Sequence, residues 1–265
     1  MNTISTTGRG LGLAVAITRD VLLTAGKVVG TGGYSSFWLN NPPGADALSV
    51  LGELAPLAPS LRLGVGVIPL TSPDPGQITS DVHRVALPAE RLYLGIGSGA
   101  GPGGLQRVEA GLQRLRNTYQ GDIVVAALGP RMCRLAGSAA DGVLFNWLTP
   151  EYASRSITWV QEGAGEAGRP MPQVFAYVRV GLGEAAITRL RTEATTYESY
   201  PAYAAHFKRM GVGAMDTTIA AITPEDIQSA LAAWEGVVDE VVVRAITLHD
   251  TADEVLQVID AARPR

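Results

Sequence analysis

The chain has 265 residues, 46% of them apolar, 17% charged and 6% aromatic, a composition that builds a packed core and excludes disorder along the whole length. Its 21 basic and 25 acidic side chains leave a net charge of −4 with no Lys/Arg cluster, which argues against nucleic-acid binding. A single cysteine, Cys133, excludes an intrachain disulfide and cysteine-rich metal motifs, and His83, His206 and His249 are too scattered for a protein-ligated metal.

Short runs rich in Val, Ile and Leu recur along the chain, each followed by a helical pattern. The predicted strands are Leu11–Ile17, Ser36–Leu39, Leu61–Ile68, Leu92–Ile96, Ile123–Ala127, Val143–Phe145, Val174–Val180 and Val237–Val243. The predicted helices are Asp20–Val29, Asp46–Ala58, Gln77–Ala86, Leu105–Asn117, Arg131–Ser138, Pro150–Ala167, a long stretch Glu184–Trp234, and Thr251–Ala262. Near-continuous apolar strands are the habit of parallel sheets covered on both faces. Eight strand–helix units predict a closed (β/α)8 TIM barrel in one domain, 1–265, with an open doubly wound sheet as the rival. No apolar run is long enough to span a membrane. Ala14-Val15-Ala16 has the form of a signal-peptidase site, but only Leu11-Gly12-Leu13 precedes it as apolar stretch. The expectation is a cytoplasmic protein.

The special residues fall in the loops after strands, which in a barrel form the face that carries active sites. Pro42-Pro43-Gly44, Ser72-Pro73-Asp74-Pro75-Gly76, Gly97 to Gly104, Gly129-Pro130 and Thr149-Pro150-Glu151 follow the second to the sixth strand. Gly99-Ala100-Gly101-Pro102-Gly103-Gly104 matches GxGxxG between a strand and a helix. Three strand–helix units precede it, and Pro102 removes an amide from any phosphate cradle. It reads as a dinucleotide fingerprint, as a loop where a cofactor approaches bare backbone beside Ser98, or as a plain flexible loop.

Leu128-Gly129-Pro130-Arg131-Met132 leads from a strand straight into a helix. Free amides at that helix start suit an anion, with Arg131 adding charge, against the alternative of a tight turn alone. Gly64 and Gly66 within the third strand mark a bulge, a close approach to a ligand, or barrel packing against a bulky neighbour. Asn40-Asn41 ends the second strand, where amide groups bond a ligand or simply build the turn before Pro42. Trp147 walls a flat ring or packs in the core. Arg244, at the last strand, holds an acid or phosphate, or pairs with Asp239 or Asp250. No catalytic Ser/His/Asp set and no paired carboxylates stand out.

Leu61-Arg-Leu-Gly-Val-Gly-Val-Ile-Pro-Leu70, Leu92-Tyr-Leu-Gly-Ile-Gly-Ser-Gly99, Ala126-Ala-Leu-Gly-Pro-Arg-Met132, Leu135-Ala-Gly137 and Ala140-Asp-Gly-Val143, in that order, resemble the bacterial luciferase-like superfamily of flavin and deazaflavin oxidoreductases. The branch using coenzyme F420, which includes methylenetetrahydromethanopterin reductase, is the most similar. The resemblance covers roughly residues 11–183 and, more weakly, the last strand and helix. It implies a TIM barrel, a homodimer, and a tricyclic ring over the strand ends. A non-prolyl cis peptide at Gly66-Val67 would back the ring. Ser98-Gly99 would meet the cofactor tail, and Leu128-Gly129 with the amides of Arg131 or Met132 would hold its phosphate.

Many members carry Asp-His or Glu-His at the end of strand two, where this chain has Asn40-Asn41, so a proton donor is missing there while hydrogen bonding remains. The insertion after strand three is reduced. The resulting expectation is hydride transfer between F420 and a small organic substrate, with Asn41, and Asn40 beside it, orienting ring or substrate. Gly66, Val67, Ser98, Gly99, Leu128, Gly129, Pro130, Arg131 and Met132 would bind the cofactor, and Trp147 and Arg244 the substrate. An FMN-dependent monooxygenase and a cofactor-binding barrel without turnover are the alternatives.

Overall fold

In the computed structural model, which describes residues 7–72 and 74–265, strands and helices alternate from β1 (Gly8–Leu13) to α10 (Ala252–Ala261). Pro73, in the predicted turn after the third strand, lies outside the described residues, as do residues 1–6 of the single domain expected. After β1 come α1 (Arg19–Thr31), β2 (Ser36–Leu39), α2 (Ala47–Leu54), β3 (Arg62–Val65), β4 (Ile68–Pro69), α3 (Pro75–Arg84) and β5 (Leu92–Gly97). Then follow α4 (Gly104–Arg116), β6 (Asp122–Ala127), α5 (Pro130–Ala139), β7 (Gly142–Asn146), α6 (Pro150–Glu166) and β8 (Gln173–Leu182). The chain closes with α7 (Glu184–Glu198), α8 (Pro201–Met210), β9 (Ile219–Ala221), α9 (Pro224–Ala232), β10 (Glu240–Ile246) and α10.

All pairings are parallel, and β10 bonds both β1 and β8, so the sheet closes into an eight-stranded ring: β10, β1, β2, β3 with β4, β5, β6, β7, β8. The ring excludes the open doubly wound alternative, and with it the dinucleotide-fold reading of the GxGxxG loop. Outward strand residues such as Leu11, Leu39, Leu63, Leu94 and Val125 pack against the helices in the main core. Each such leucine or valine, buried from water, contributes roughly 1.5–3 kcal/mol before entropy costs.

The helices start where the sequence supplies N-caps. Asp46, Asp74, Thr149, Thr223 and Thr251 each accept a backbone N–H with their side chains at the starts of α2, α3, α6, α9 and α10.

Several boundaries differ from those predicted, among them the last strand, Glu240–Ile246 rather than Val237–Val243, and the third, split into β3 and β4. The first strand is Gly8–Leu13 rather than Leu11–Ile17, because Gly8, Gly10 and Gly12, which carry no apolar signal, are strand residues. A Cβ on Gly10 would lie 2.4 Å from Ser36 Oγ, so only glycine fits there. The second helix ends at Leu54, before Pro56, which cannot continue it. The stretch Glu184–Trp234 is three helices and a short strand. Pro201 opens α8, Gly211 (φ 81°) closes it, and β9 pairs with the end of β8. Only five residues, 70–74, separate β4 from α3, in keeping with the reduced insertion. The longer excursion follows β8 instead.

Candidate functional site

Strand alternation sorts the barrel interior into layers. Trp38, Tyr93 and Phe175 fill the middle: Trp38 stacks on Tyr93 at 5.5 Å, and Phe175 meets both edge-on at 5.1 and 4.8 Å. Arg62 lies 4.0 Å over the outer face of Tyr93. Toward the C-terminal ends the inward residues shrink to Gly66, Gly97 and Ala126. Ala126 follows the buried Val124 on the inner face of β6 yet is half-exposed, as are Gly66 and Val67. The wall from β4 to β6 therefore stands bare above the aromatic layer. A Cβ on Gly97 would come within 2.7 Å of Val67 Cγ2. The Gly66–Val67 peptide is cis, at the position the resemblance implied.

The loop after β5 runs to α4 through Gly99, which has φ 63° and packs on Thr71. Arg107, not singled out in the sequence, holds this loop. Its guanidinium donates to Ser98 O at 2.6 Å and Pro102 O at 2.8 Å. The Ser98 hydroxyl donates to Gly99 O at 3.1 Å and is half-buried. The cap of α4, Gly103, offers no side-chain acceptor to the first turn.

The exit of β6 leaves backbone donors free. Gly129 is the N-cap of α5 and Pro130 its first residue, and no side chain accepts from the first-turn amides. The N–H groups of Arg131 and Met132 thus remain donors at the positive end of the helix dipole. Arg131 is exposed. Arg209, on α8, brings its guanidinium to 3.5 Å from where a Gly129 Cβ would sit and donates to Leu128 O at 3.4 Å. His206, one turn earlier, is buried between two carbonyls, Nδ1 at 2.8 Å from Leu128 O and Nε2 at 2.7 Å from Trp147 O. It ties α8 to the ends of β6 and β7. Burial pushes its pKa down, outweighing the two carbonyls. The Pro201 helix start was a sequence signal for α8, but nothing local places that helix over β6.

The remaining predicted residues take defined places. Asn40 shares the inner face with Trp38, and its Oδ1 accepts from Val15 N at 2.8 Å, so its NH2 is the group left to meet a ligand. Asn41 turns to the loop, where its Oδ1 accepts from Ala47 N at 2.9 Å. The alternation puts Asn40, rather than Asn41, toward the mouth. Trp147 does not wall the opening. It is 1% exposed, covered by the Arg179 guanidinium at 3.7 Å and packed against Tyr197 and Phe207. Arg244 pairs with neither competitor: Asp250 binds Arg189 at 2.7 Å, and Asp239 accepts from Val174 N. Burial pushes the Cys133 thiol up to about 12, which leaves it an inert core group. Among the described residues no three His, Cys, Asp or Glu side chains gather into a metal site, and no helix is long and apolar enough to cross a membrane.

Known structures share this architecture. An F420-dependent secondary alcohol dehydrogenase, solved with an F420–acetone adduct, superposes with a TM-score of 0.77 at 14% identity over 97% of this chain and 99% of that one. The coenzyme F420-dependent tetrahydromethanopterin reductase of Methanopyrus kandleri gives 0.70 at 16% identity, covering 95% and 97%. The oxygenating constituent of 3,6-diketocamphane monooxygenase from Pseudomonas putida, in complex with FMN, gives 0.71 at 13% identity, covering 97% and 96%. At such identities the likeness establishes the fold. Residues 103–264, from the glycine loop through α10, match the family described as luciferase-like monooxygenase. That match spans more than half of the sequence, and the chain belongs to this family.

Proposed function

We propose that this chain is an F420-dependent oxidoreductase that moves a hydride between the deazaflavin and a small organic substrate. The observation that carries the reading is the pairing, on adjacent strands, of a bare inner wall with an anion site. Gly66, Val67 and Ala126 are half-exposed at the mouth, where a flat ring would lie against them. The uncapped start of α5, flanked by Arg131 and Arg209, suits the phosphate of a cofactor tail. The residues present fit the group. The resemblance of the strand-end motifs to the F420 branch supports F420 over FMN, whereas the F420 and FMN structures overlap in TM-score, 0.77 and 0.70 against 0.71.

When bound, F420 supplies the hydride donor or acceptor. The protein's part is placement and electrostatics. The amides of Arg131 and Met132 hold the phosphate, and the Ser98-Gly99 loop, braced by Arg107, follows the tail. Gly66 and Val67 back the ring. Asn40, its oxygen already committed to Val15 N, donates through its NH2 to ring or substrate. Neither Asn40 nor Asn41 supplies a proton near neutral pH. The enzyme acts on a small molecule, as a homodimer, in the cytoplasm.

An FMN-dependent monooxygenase is the second reading, motivated by the FMN-bound relative. A barrel that binds without turnover is the third, motivated by the asparagines at the end of β2. Titration of the purified protein with F420 and with FMN, read by fluorescence, separates them. Micromolar binding of F420 with none of FMN supports the proposal. The reverse preference, with oxygen uptake on adding reduced FMN, replaces it by the second reading. F420 binding without turnover of any alcohol, ketone or enone leaves the third.

A further inference from the structure

The wall facing Gly66 and Gly97 carries a different chemistry. In the ring of eight strands β8 stands opposite β3–β4, and β10 opposite β5. Arg179 on β8 and Arg244 on β10 are register partners, and Gly12 on β1 is the partner of Arg244 on its other side. Both arginines follow inward residues, Phe175 and Tyr177 on β8, Val242 on β10. Both are buried, 4% and 7% exposed.

Their partners differ sharply. Arg179 is held on several sides: Nε donates to Glu193 at 2.6 Å, NH1 to Asn146 Oδ1 at 2.7 Å, and its plane lies on Trp147. Arg244 makes one hydrogen bond among the described residues, to Ala245 O at 2.5 Å. The Tyr177 hydroxyl lies against Gly12, where a Cβ would approach it to 2.8 Å, and has no hydrogen-bond partner among the described residues. Gly12 leaves the space that this phenol occupies. Arg179 pairs with Glu193 and Arg189 with Asp250, which leaves Arg244 as the arginine of this group without an ion-pair partner among the described residues. A buried guanidinium without a carboxylate and a buried hydroxyl without an acceptor both carry a desolvation cost that an anion would offset.

We propose that Arg244 and the Tyr177 hydroxyl form a subsite for a substrate carboxylate, on the wall of the mouth opposite the ring. The planar guanidinium fork matches a carboxylate, and the phenol adds one donor. The single charge of Arg244 balances a monoanion. A phosphate dianion would leave a charge uncompensated beside Glu193. Arg179, held by Glu193 and Asn146, positions the wall rather than the ligand. This assignment rests on the mouth being the active site, and the cofactor titration tests that separately.

The test uses benzoate, its neutral isostere benzamide, and phenyl phosphate as probes, titrated by calorimetry into the purified protein with and without F420. Benzoate should bind roughly ten-fold or more tightly than benzamide, and more tightly than phenyl phosphate. Arg244→Gln should weaken benzoate by roughly ten- to hundred-fold while leaving benzamide and F420 affinity unchanged. Tyr177→Phe should weaken benzoate several-fold and keep the ring packing. If Arg244→Gln fails to fold, Tyr177→Phe and the wild-type probe series decide. Equal binding of benzoate and benzamide, no benzoate binding, or a preference for phenyl phosphate overturns the subsite. Benzoate selectivity without F420 binding upholds the subsite and overturns the cofactor reading. F420 binding without selectivity does the opposite.

Discussion

The middle of the barrel and its C-terminal mouth are lined by the same eight strands yet are built on opposite plans. The middle is filled: Trp38, Tyr93 and Phe175 interlock, and below them Ser35 and Ser36 donate to the buried Glu240 carboxylate, whose pKa burial pushes up. The mouth is emptied on one side, at Gly66, Gly97 and Ala126, and polar on the other, at Arg179 and Arg244. A position two residues further along a strand points to the same side. The change from Trp38 to Asn40, from Val124 to Ala126, or from Tyr177 to Arg179 is therefore a change of purpose on one face. Stability resides in the filled layer, and the proposed recognition in the bare one.

The largest effect should come from breaking the filled layer. Phe175→Ala removes a ring that is 0% exposed and touches both other aromatics, and should cost about 3–5 kcal/mol in denaturant unfolding. A loss below about 1 kcal/mol would mean that this layer is not packed as described.

Adding bulk at the mouth should do the reverse. Ala126→Leu places a side chain in half-open space, so unfolding free energy should stay within about 0.5 kcal/mol of wild type. F420 affinity should fall at least roughly ten-fold, equivalent to about 1.4 kcal/mol. Unchanged affinity, read by fluorescence titration, would move the ring away from β6.

Arg209→Gln tests the anion site. It should weaken F420 binding by a few-fold, about 1 kcal/mol, and flatten the salt dependence of that binding, with stability preserved. Equal salt dependence in wild type and variant would take Arg209 out of the site.

The smallest effect concerns His206. Its folded pKa lies below the unfolded value of about 6.5, so the unfolded chain takes up the proton first. Its contribution to stability is therefore fully present above that range and declines as pH falls through it. Thermal unfolding between pH 7.5 and 5 should show this decline, and His206→Gln should reduce it. An identical pH profile in the variant would assign the acid lability to other groups.

The barrel was legible because buried parallel strands write their burial as unbroken Val/Ile/Leu runs, and all eight predicted runs overlap barrel strands. The half of the candidate site made of backbone was legible too. Gly66-Val67, Ser98-Gly99 and Gly129-Pro130 lie at strand ends, where missing side chains and a Pro at the first helical turn are visible in the letters. The half made of long-range contacts was not. That Arg179 lies beside Arg244 depends on β8 meeting β10 across the excursion of 183–239. That Arg209 and His206 reach the Leu128 loop depends on where α8 docks. Trp147 was misplaced for the same reason, since the helices that bury it follow it by about 50 residues or more.

A crystal structure of the protein soaked with F420 tests the central claim most directly. The account predicts the flat ring against Gly66, Val67 and Ala126, with phosphate oxygens within hydrogen-bond distance of the Arg131 and Met132 amides. A ring bound elsewhere, for example in the groove between α9 and α10 lined by Leu182, Pro224, Asp253 and Leu256, would contradict it.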